Sequence, residues 1–84
     1  MTAKRLRRRR NPKMKLLSDI RRHASAAAML RVGGKIPGAL RYEEDLDRLC
    51  AQAEAKGWGD AAFEASIRGQ TEGHRVARAK KKGR

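Results

Sequence analysis

The side chains best suited to chemistry in this sequence are the arginines near its start: Arg5, Arg7, Arg8, Arg9 and Arg10. A guanidinium group is planar and always charged, and its fork of donors fits a phosphate or the edge of a guanine. Clustered Arg and Lys also release the counterions that surround nucleic acid, so their binding weakens as salt rises. The cluster therefore predicts a nucleic-acid contact in which these arginines bind phosphates.

The same segment is compatible with two other functions. A disordered solubilising tail and an organelle-targeting segment are both rich in basic residues and poor in acids. Residues 4–10 also resemble, in composition, the arginine-rich RNA-binding peptides of small phage antitermination proteins. Arginine-rich segments commonly fold on RNA, while basic arms also enter the minor groove of DNA. DNA and RNA both remain open as partners.

Further basic residues extend this pattern in two places. Lys13, Lys15, Arg21 and Arg22 are predicted along one side of a first helix, where they would support the arm on nucleic acid. A second contact is predicted near the carboxyl end, from Arg75, Arg78, Lys80, Lys81 and Lys82.

The overall charge supports an anionic partner. The chain has 84 residues and a net charge of +13, with a pI of about 11.3. Residues 1–35 carry a net +11, residues 36–67 a net −4 and residues 68–84 a net +6. A free protein with this charge repels itself, and a polyanion would neutralise it.

The middle of the chain offers a different surface. Glu43, Glu44 and Asp47 form an acidic cluster, and Trp58 stands between two glycines. A DNA-reading second helix should present basic or polar residues, so this acidic helix argues against a helix-turn-helix and for a plain helical hairpin. Acidic residues and an exposed Trp could instead bind a protein, while a buried Trp58 would close the core.

Nothing in the sequence predicts catalysis. Cys50 is the single cysteine, and neither it nor His23 or His74 has a metal-ligand or triad partner at a useful spacing. We expect no enzyme activity, no metal or other cofactor and no small-molecule substrate. No apolar run approaches the length of a membrane span, and the lone cysteine suits a reducing compartment such as the cytoplasm.

The basic and acidic residues lie on predicted helices. Asn11-Pro12 is a typical helix start, and apolar residues at helical spacing predict a first helix over residues 12–32, ended by Gly33-Gly34. Its alanine-rich second half indicates close approach to a neighbouring element. The "GGKIPGAL" segment is predicted as a connector because Gly and Pro interrupt it.

A second helix is predicted from Arg41 to Lys56, with a buried face of Leu46, Leu49, Cys50 and Ala53. Glu43, Glu44 and Asp45 would then occupy its first turn and Lys56 its last, where both charges complement the helix dipole. Glu44 could pair with Arg48 at i, i+4.

A third helix is expected to begin after an Asp60 cap and to pack Phe63 and Ile67 on the second helix. The glycines at 69 and 73 weaken the pattern, so its continuation through "HRVARAKKK" stays open. These elements predict a small all-α domain of two or three helices over residues 12–70. Flexible basic extensions are predicted at residues 1–11 and 71–84.

The predicted function is a small, non-enzymatic nucleic-acid-binding protein. It could act as an accessory or regulatory protein on DNA, or as a component of a ribosome-like ribonucleoprotein particle. The alternative is a protein adaptor or inhibitor that works through the acidic second helix and Trp58.

Overall fold

A computed structural model of the protein describes residues 11–82, and for residues 81 and 82 it describes only the helical backbone. Three helices form in this part of the chain: α1 (Pro12–Val32), α2 (Ile36–Ala55) and α3 (Gly59–Lys82). Residues 11–82 contain no strand. The all-α prediction is therefore confirmed, with three helices.

Helix α1 begins and ends at the predicted residues. The Asn11 side chain accepts a hydrogen bond from the backbone N–H of Lys13 (2.9 Å), and Pro12 opens the first turn, where no N–H is needed. Gly34 adopts the left-handed conformation (φ 80°), and Lys35 N–H donates to the carbonyl of Leu30 (2.8 Å). The chain can then reverse within three residues.

Helix α2 begins at Ile36, five residues earlier than predicted. Pro37 lies in its first turn, where proline is tolerated because that N–H has no helical partner. The acidic residues that start at Glu43 consequently lie beyond the first turn, and Lys56 follows the last one. The predicted complement to the dipole of this helix is wrong, and Arg48 pairs with Asp45 (3.3 Å) in place of Glu44.

The core forms where α1 lies against both other helices. Its buried members come from all three: Ile20 and Ala24 of α1, Leu46 and Ala53 of α2, and Ala62 of α3. Leu49 and Cys50 are partly buried beside them, so the predicted inner face of α2 is confirmed. Helix α2 has much less contact with α3 than either has with α1.

Helix α3 runs parallel to α1 and packs on it through glycines. A Cβ atom on Gly69 would lie 2.3 Å from the carbonyl oxygen of Arg21, and one on Gly73 would lie 2.4 Å from that of Ser25. No side chain fits at these distances, so the two backbones approach as closely as glycine permits. The close approach predicted for the alanine-rich part of α1 is confirmed, and α3 is the neighbour.

The predicted packing of Phe63 and Ile67 on the second helix is wrong. Phe63 is 68% exposed and Ile67 is 46% exposed. The buried positions of α3 are the small residues Ala62, Gly69, Gly73 and Ala77. This small-residue face turns toward α1, and it leaves the larger apolar side chains of α3 on the outside.

The third helix also continues well past residue 70. It is unbroken to Lys82, and Ala77, only 9% exposed, belongs to the buried face. The backbone of residues 71–82, predicted as the start of a tail, is therefore part of the helical bundle. At the other end, Asp60 lies in the first turn of α3, after the helix start at Gly59.

Candidate nucleic-acid interface

Charge is divided between the helices. From their residues, α1 has a net charge of +4, α3 of +3 and α2 of −3. Because α1 and α3 pack side by side, Arg21 of α1 and Arg68 of α3 border the same depression of the surface. The acidic residues of α2 lie on a separate helix that touches α3 only slightly.

Three shallow depressions follow the side of the bundle where α1 meets α3. The largest, about 600 Å³, lies over α1 between Tyr42 and Glu72 and includes Arg21 and Arg22. A second, about 300 Å³, shares Ser18 and Arg21 with the first and reaches Arg68. The third, about 340 Å³, shares Glu64 and Arg68 with the second and extends to Arg75.

Because neighbouring depressions share these lining residues, the three depressions form one continuous surface. We call it the basic face and define it by Arg22, Arg68 and Arg75, all of which are exposed. Among residues 11–82, no carboxylate lies within 4 Å of the charged groups of these three arginines. Arg68 was not predicted as a site residue, although its position seven residues before Arg75 places both on one side of a helix.

Arg21 is held by a carboxylate within the bundle. Its Nε and Nη2 donate to the two oxygens of Glu72, at 3.2 and 2.9 Å, across the α1–α3 contact. This bidentate pair joins the helices and balances the charge of Arg21. A phosphate would have to share Arg21 with Glu72, whereas Arg22 next to it has no such competitor among the described residues.

The predicted basic residues at the start of α1 have other neighbours. The Lys15 ammonium lies 3.8 Å from Asp19, a distance typical of a weak exposed pair. Lys13 and Lys56 lie over the ring of Trp58, with nitrogen-to-centroid distances of 6.0 and 5.7 Å. Trp58 itself is partly buried and packs on the core, as the core-closing alternative predicted.

The three acidic residues predicted to bind a protein differ in their contacts within the bundle. Glu44 and Asp47 are exposed, but Glu43 accepts two hydrogen bonds from Arg31 of α1, one of them at 2.8 Å. These bonds lower the pKa of Glu43, and partial burial opposes them. The same bonds raise the pKa of Arg31. Glu43 therefore fastens α2 to α1.

Cys50 is a free thiol that lies partly buried on α2 and packs against the core. Partial burial raises the pKa of the Cys50 thiol, and the charges of Asp47 and Glu54 raise it further. The thiol is therefore protonated at neutral pH and is a poor nucleophile. His23 stacks edge-on against Tyr42, with ring centroids 5.5 Å apart.

Two further findings, on metal binding and on membrane spans, apply to residues 11–82. No group of three or more His, Cys, Asp or Glu side chains there is close enough to hold a metal ion. None of its helices is both long and apolar enough to cross a membrane.

The remaining predicted site residues lie near the two ends of the chain. Arg78 and Lys80 are exposed on the last turns of α3. The arginines of the amino-terminal arm and the side chains of Lys81 and Lys82 lie outside the described residues: Arg5, Arg7, Arg8, Arg9, Arg10, Lys81 and Lys82.

Comparison with known proteins gave no matching family model, no similar curated protein and no similar solved structure.

Proposed function

We propose that this protein binds nucleic acid without enzymatic activity, through its arginine-rich arm and the basic face. The observation that carries the proposal is the division of charge between the helices. The two helices that pack in parallel each carry a net positive charge, and the net negative charge is on α2. A surface of this kind attracts a phosphate backbone and orients the protein so that α2 faces away.

The exposed arginines strengthen the proposal. A basic residue that is already paired gives little net gain on binding a phosphate, because it must first lose a carboxylate. Arg22, Arg68 and Arg75 have no such partner among residues 11–82. Each phosphate that they neutralise would release counterions and make the affinity more dependent on salt.

The test is the affinity for generic DNA and for generic RNA, each at two salt concentrations. We expect binding that weakens steeply with salt, with a log–log slope near −0.9 for each phosphate contact on a duplex and near −0.7 on a single strand. Changing Arg7, Arg8, Arg9 and Arg10 together to Ala should make the slope shallower by about 3 to 4 on a duplex.

A matched control is R41A/R48A, which removes two exposed arginines from α2. We expect it to leave the slope unchanged, while R22A/R68A should reduce it by about 2. Absence of binding to both nucleic acids at low salt would contradict the proposal. A tight complex with RNA alone would favour the ribonucleoprotein-particle function over a role on DNA.

The adaptor alternative has weaker physical support. Its predicted surface combined α2 with Trp58, but Trp58 packs on the core beneath Lys13 and Lys56. Glu43 is occupied by Arg31. Of the four residues predicted for this surface, Glu44 and Asp47 are the ones that stay exposed and without an ion pair among residues 11–82.

A further inference from the structure

Positive charge is distributed along the whole length of the bundle. Gly69 packs on Arg21 and Gly73 packs on Ser25, so α1 and α3 point in the same direction and rise together. Lys80 shares a surface depression with Val32 and Lys35, beyond the end of α1. The last basic residues of α3 therefore lie at the opposite end of the bundle from Asn11, where the arm joins.

The separation of the two ends follows from helix geometry. The 21 residues of α1 span about 31 Å at 1.5 Å per residue. Arg22 and Arg68 lie near the middle of this length, because Gly69 contacts Arg21. Arg75 and Arg78 lie about two and about three turns of α3 beyond Arg68, and Lys13 lies in the first turn of α1.

This spacing matches double-stranded nucleic acid. One turn of a DNA duplex occupies about 34–36 Å, so the basic groups extend over nearly one turn. We propose that the protein lies lengthwise along a single duplex, with the arm end of α1 and the carboxyl-terminal end of α3 on phosphates about one turn apart. The proposal rests on the nucleic-acid binding proposed above and names the form of nucleic acid.

The aromatic residues favour a duplex over a single strand. Proteins that hold single strands stack the bases on exposed aromatic side chains. Here Tyr42 is engaged with His23, and Trp58 is covered by Lys13 and Lys56. Phe63 is exposed on α3, but one ring offers a stacking position for only one base.

The test compares duplexes of about 6 bp and about 12 bp, which are roughly 20 and 40 Å long at 3.4 Å per base pair. It also includes single strands of the same lengths, and each form is made in DNA and in RNA. We expect the 12-bp duplex to bind at least ~10-fold more tightly than the 6-bp duplex, because only the longer one reaches both ends of the bundle.

The decisive variant is R75A/R78A, with R41A/R48A as the control of equal charge. On the 12-bp duplex, the loss of two phosphate contacts should weaken binding by roughly 10- to 60-fold near 0.1 M salt. On the 6-bp duplex, which the arm end would hold, the same variant should change the affinity less than about twofold. The R41A/R48A control should leave the affinities for the 12-bp and the 6-bp duplex unchanged. Circular dichroism of each variant establishes that the helices are intact.

Four results would overturn this inference while leaving the proposed function in place. The R75A/R78A variant could lose the same factor on both lengths, or single strands could bind as tightly as duplexes of equal length. Wild-type affinity could be the same for the two duplexes. Analytical ultracentrifugation could find one protein joining two 12-bp duplexes, which would mean that the ends bind separate molecules. If neither DNA nor RNA binds at low salt, the proposed function itself fails.

Discussion

Ile20 and Phe63 are both large apolar residues, and the fold uses them in opposite ways. Ile20 is fully buried at the centre of the three helices, whereas Phe63 is 68% exposed on α3. We expect Ile20→Ala to lower the free energy of unfolding by about 2–5 kcal/mol, because it removes buried methyl groups and leaves a cavity. Urea denaturation monitored by circular dichroism measures this.

Phe63→Ala is the matched comparison. An exposed position away from caps and ion pairs usually changes stability by less than about 0.5 kcal/mol. If Phe63→Ala destabilised the protein as much as Ile20→Ala, the α3 side chain would have to pack on another element.

Glu43 makes a pH-dependent contribution to stability. Its hydrogen bonds with Arg31 lower its pKa in the folded protein relative to the unfolded chain. A group with a depressed folded pKa stabilises the fold at pH values above its unfolded pKa, about 4.3 for Glu, and loses this contribution as pH falls through the folded value. Glu43→Gln should therefore lower the urea midpoint at pH 7, and this difference should shrink as pH falls through the folded pKa of Glu43.

Glu44→Gln is the control for this pH dependence. It removes the same charge from the neighbouring position, and Glu44 has no ion pair within residues 11–82. Equal effects of the two substitutions at pH 7 would show that net charge, and not the Arg31 pair, sets the stability difference. The pair is largely exposed, so the shift in midpoint should be small.

At the scale of the elements, the α1–α3 contact depends on glycine. We expect Gly73→Ala to lower the free energy of unfolding by about 1–3 kcal/mol, because its Cβ would lie 2.4 Å from the Ser25 carbonyl and would force the helices apart. Helix propensity alone predicts the opposite sign, a gain of about 1 kcal/mol. Thermal or urea unfolding distinguishes the two outcomes by sign.

Gly38→Ala in α2 is the matched variant, because it raises helix propensity without a clash against a neighbouring backbone. A Cβ there would be 3.2 Å from Leu30 Cδ1, the end of a flexible side chain, so the neighbour can move. This variant should be close to neutral or more stable than the wild type. A large loss at Gly38, or a gain at Gly73, would contradict the packing described for the two glycines.

The sequence was sufficient for α1 and for the inner face of α2. Asn11 and the glycine pair after Val32 are strong local signals, and Leu46, Leu49, Cys50 and Ala53 repeat at helical spacing. The start of α2 was missed because Pro37 also fits a first helical turn. The face of α3 was missed because glycine lowers helix propensity, and its packing role depends on the partner backbone, which no local pattern records.

At the scale of the whole molecule, the position of the acidic charge leads to a test of orientation. The variant E44Q/D47N/E54Q neutralises three exposed residues of α2 and leaves the Glu43–Arg31 pair intact. If α2 faces away from nucleic acid, the affinity should rise about two- to fivefold at low salt. It should be unchanged near 0.15 M, where charges more than about 8 Å apart are screened.

Fluorescence anisotropy with a labelled duplex measures both conditions. A loss of affinity in this variant would place α2 in the interface, contrary to the proposed orientation. The sequence alone predicted the acidic helix, but it did not predict that Arg21 would be paired with Glu72. Those residues are 51 positions apart and meet only because α3 packs parallel to α1.

The parallel contact between α1 and α3 also bears on the order of folding. A three-residue link joins α1 to α2, so their hairpin closes with little loss of chain entropy. The contact of α3 with α1 loses more chain entropy, because Gly69 and Gly73 must meet Arg21 and Ser25, which lie 48 positions earlier in the chain. During synthesis, Ala24 and Ala28 of α1 therefore stay uncovered until α3 has left the ribosome. We expect pulse-labelled hydrogen exchange during refolding to protect the amides of α1 and α2 before those of α3, and simultaneous protection would show that all three helices assemble in one step.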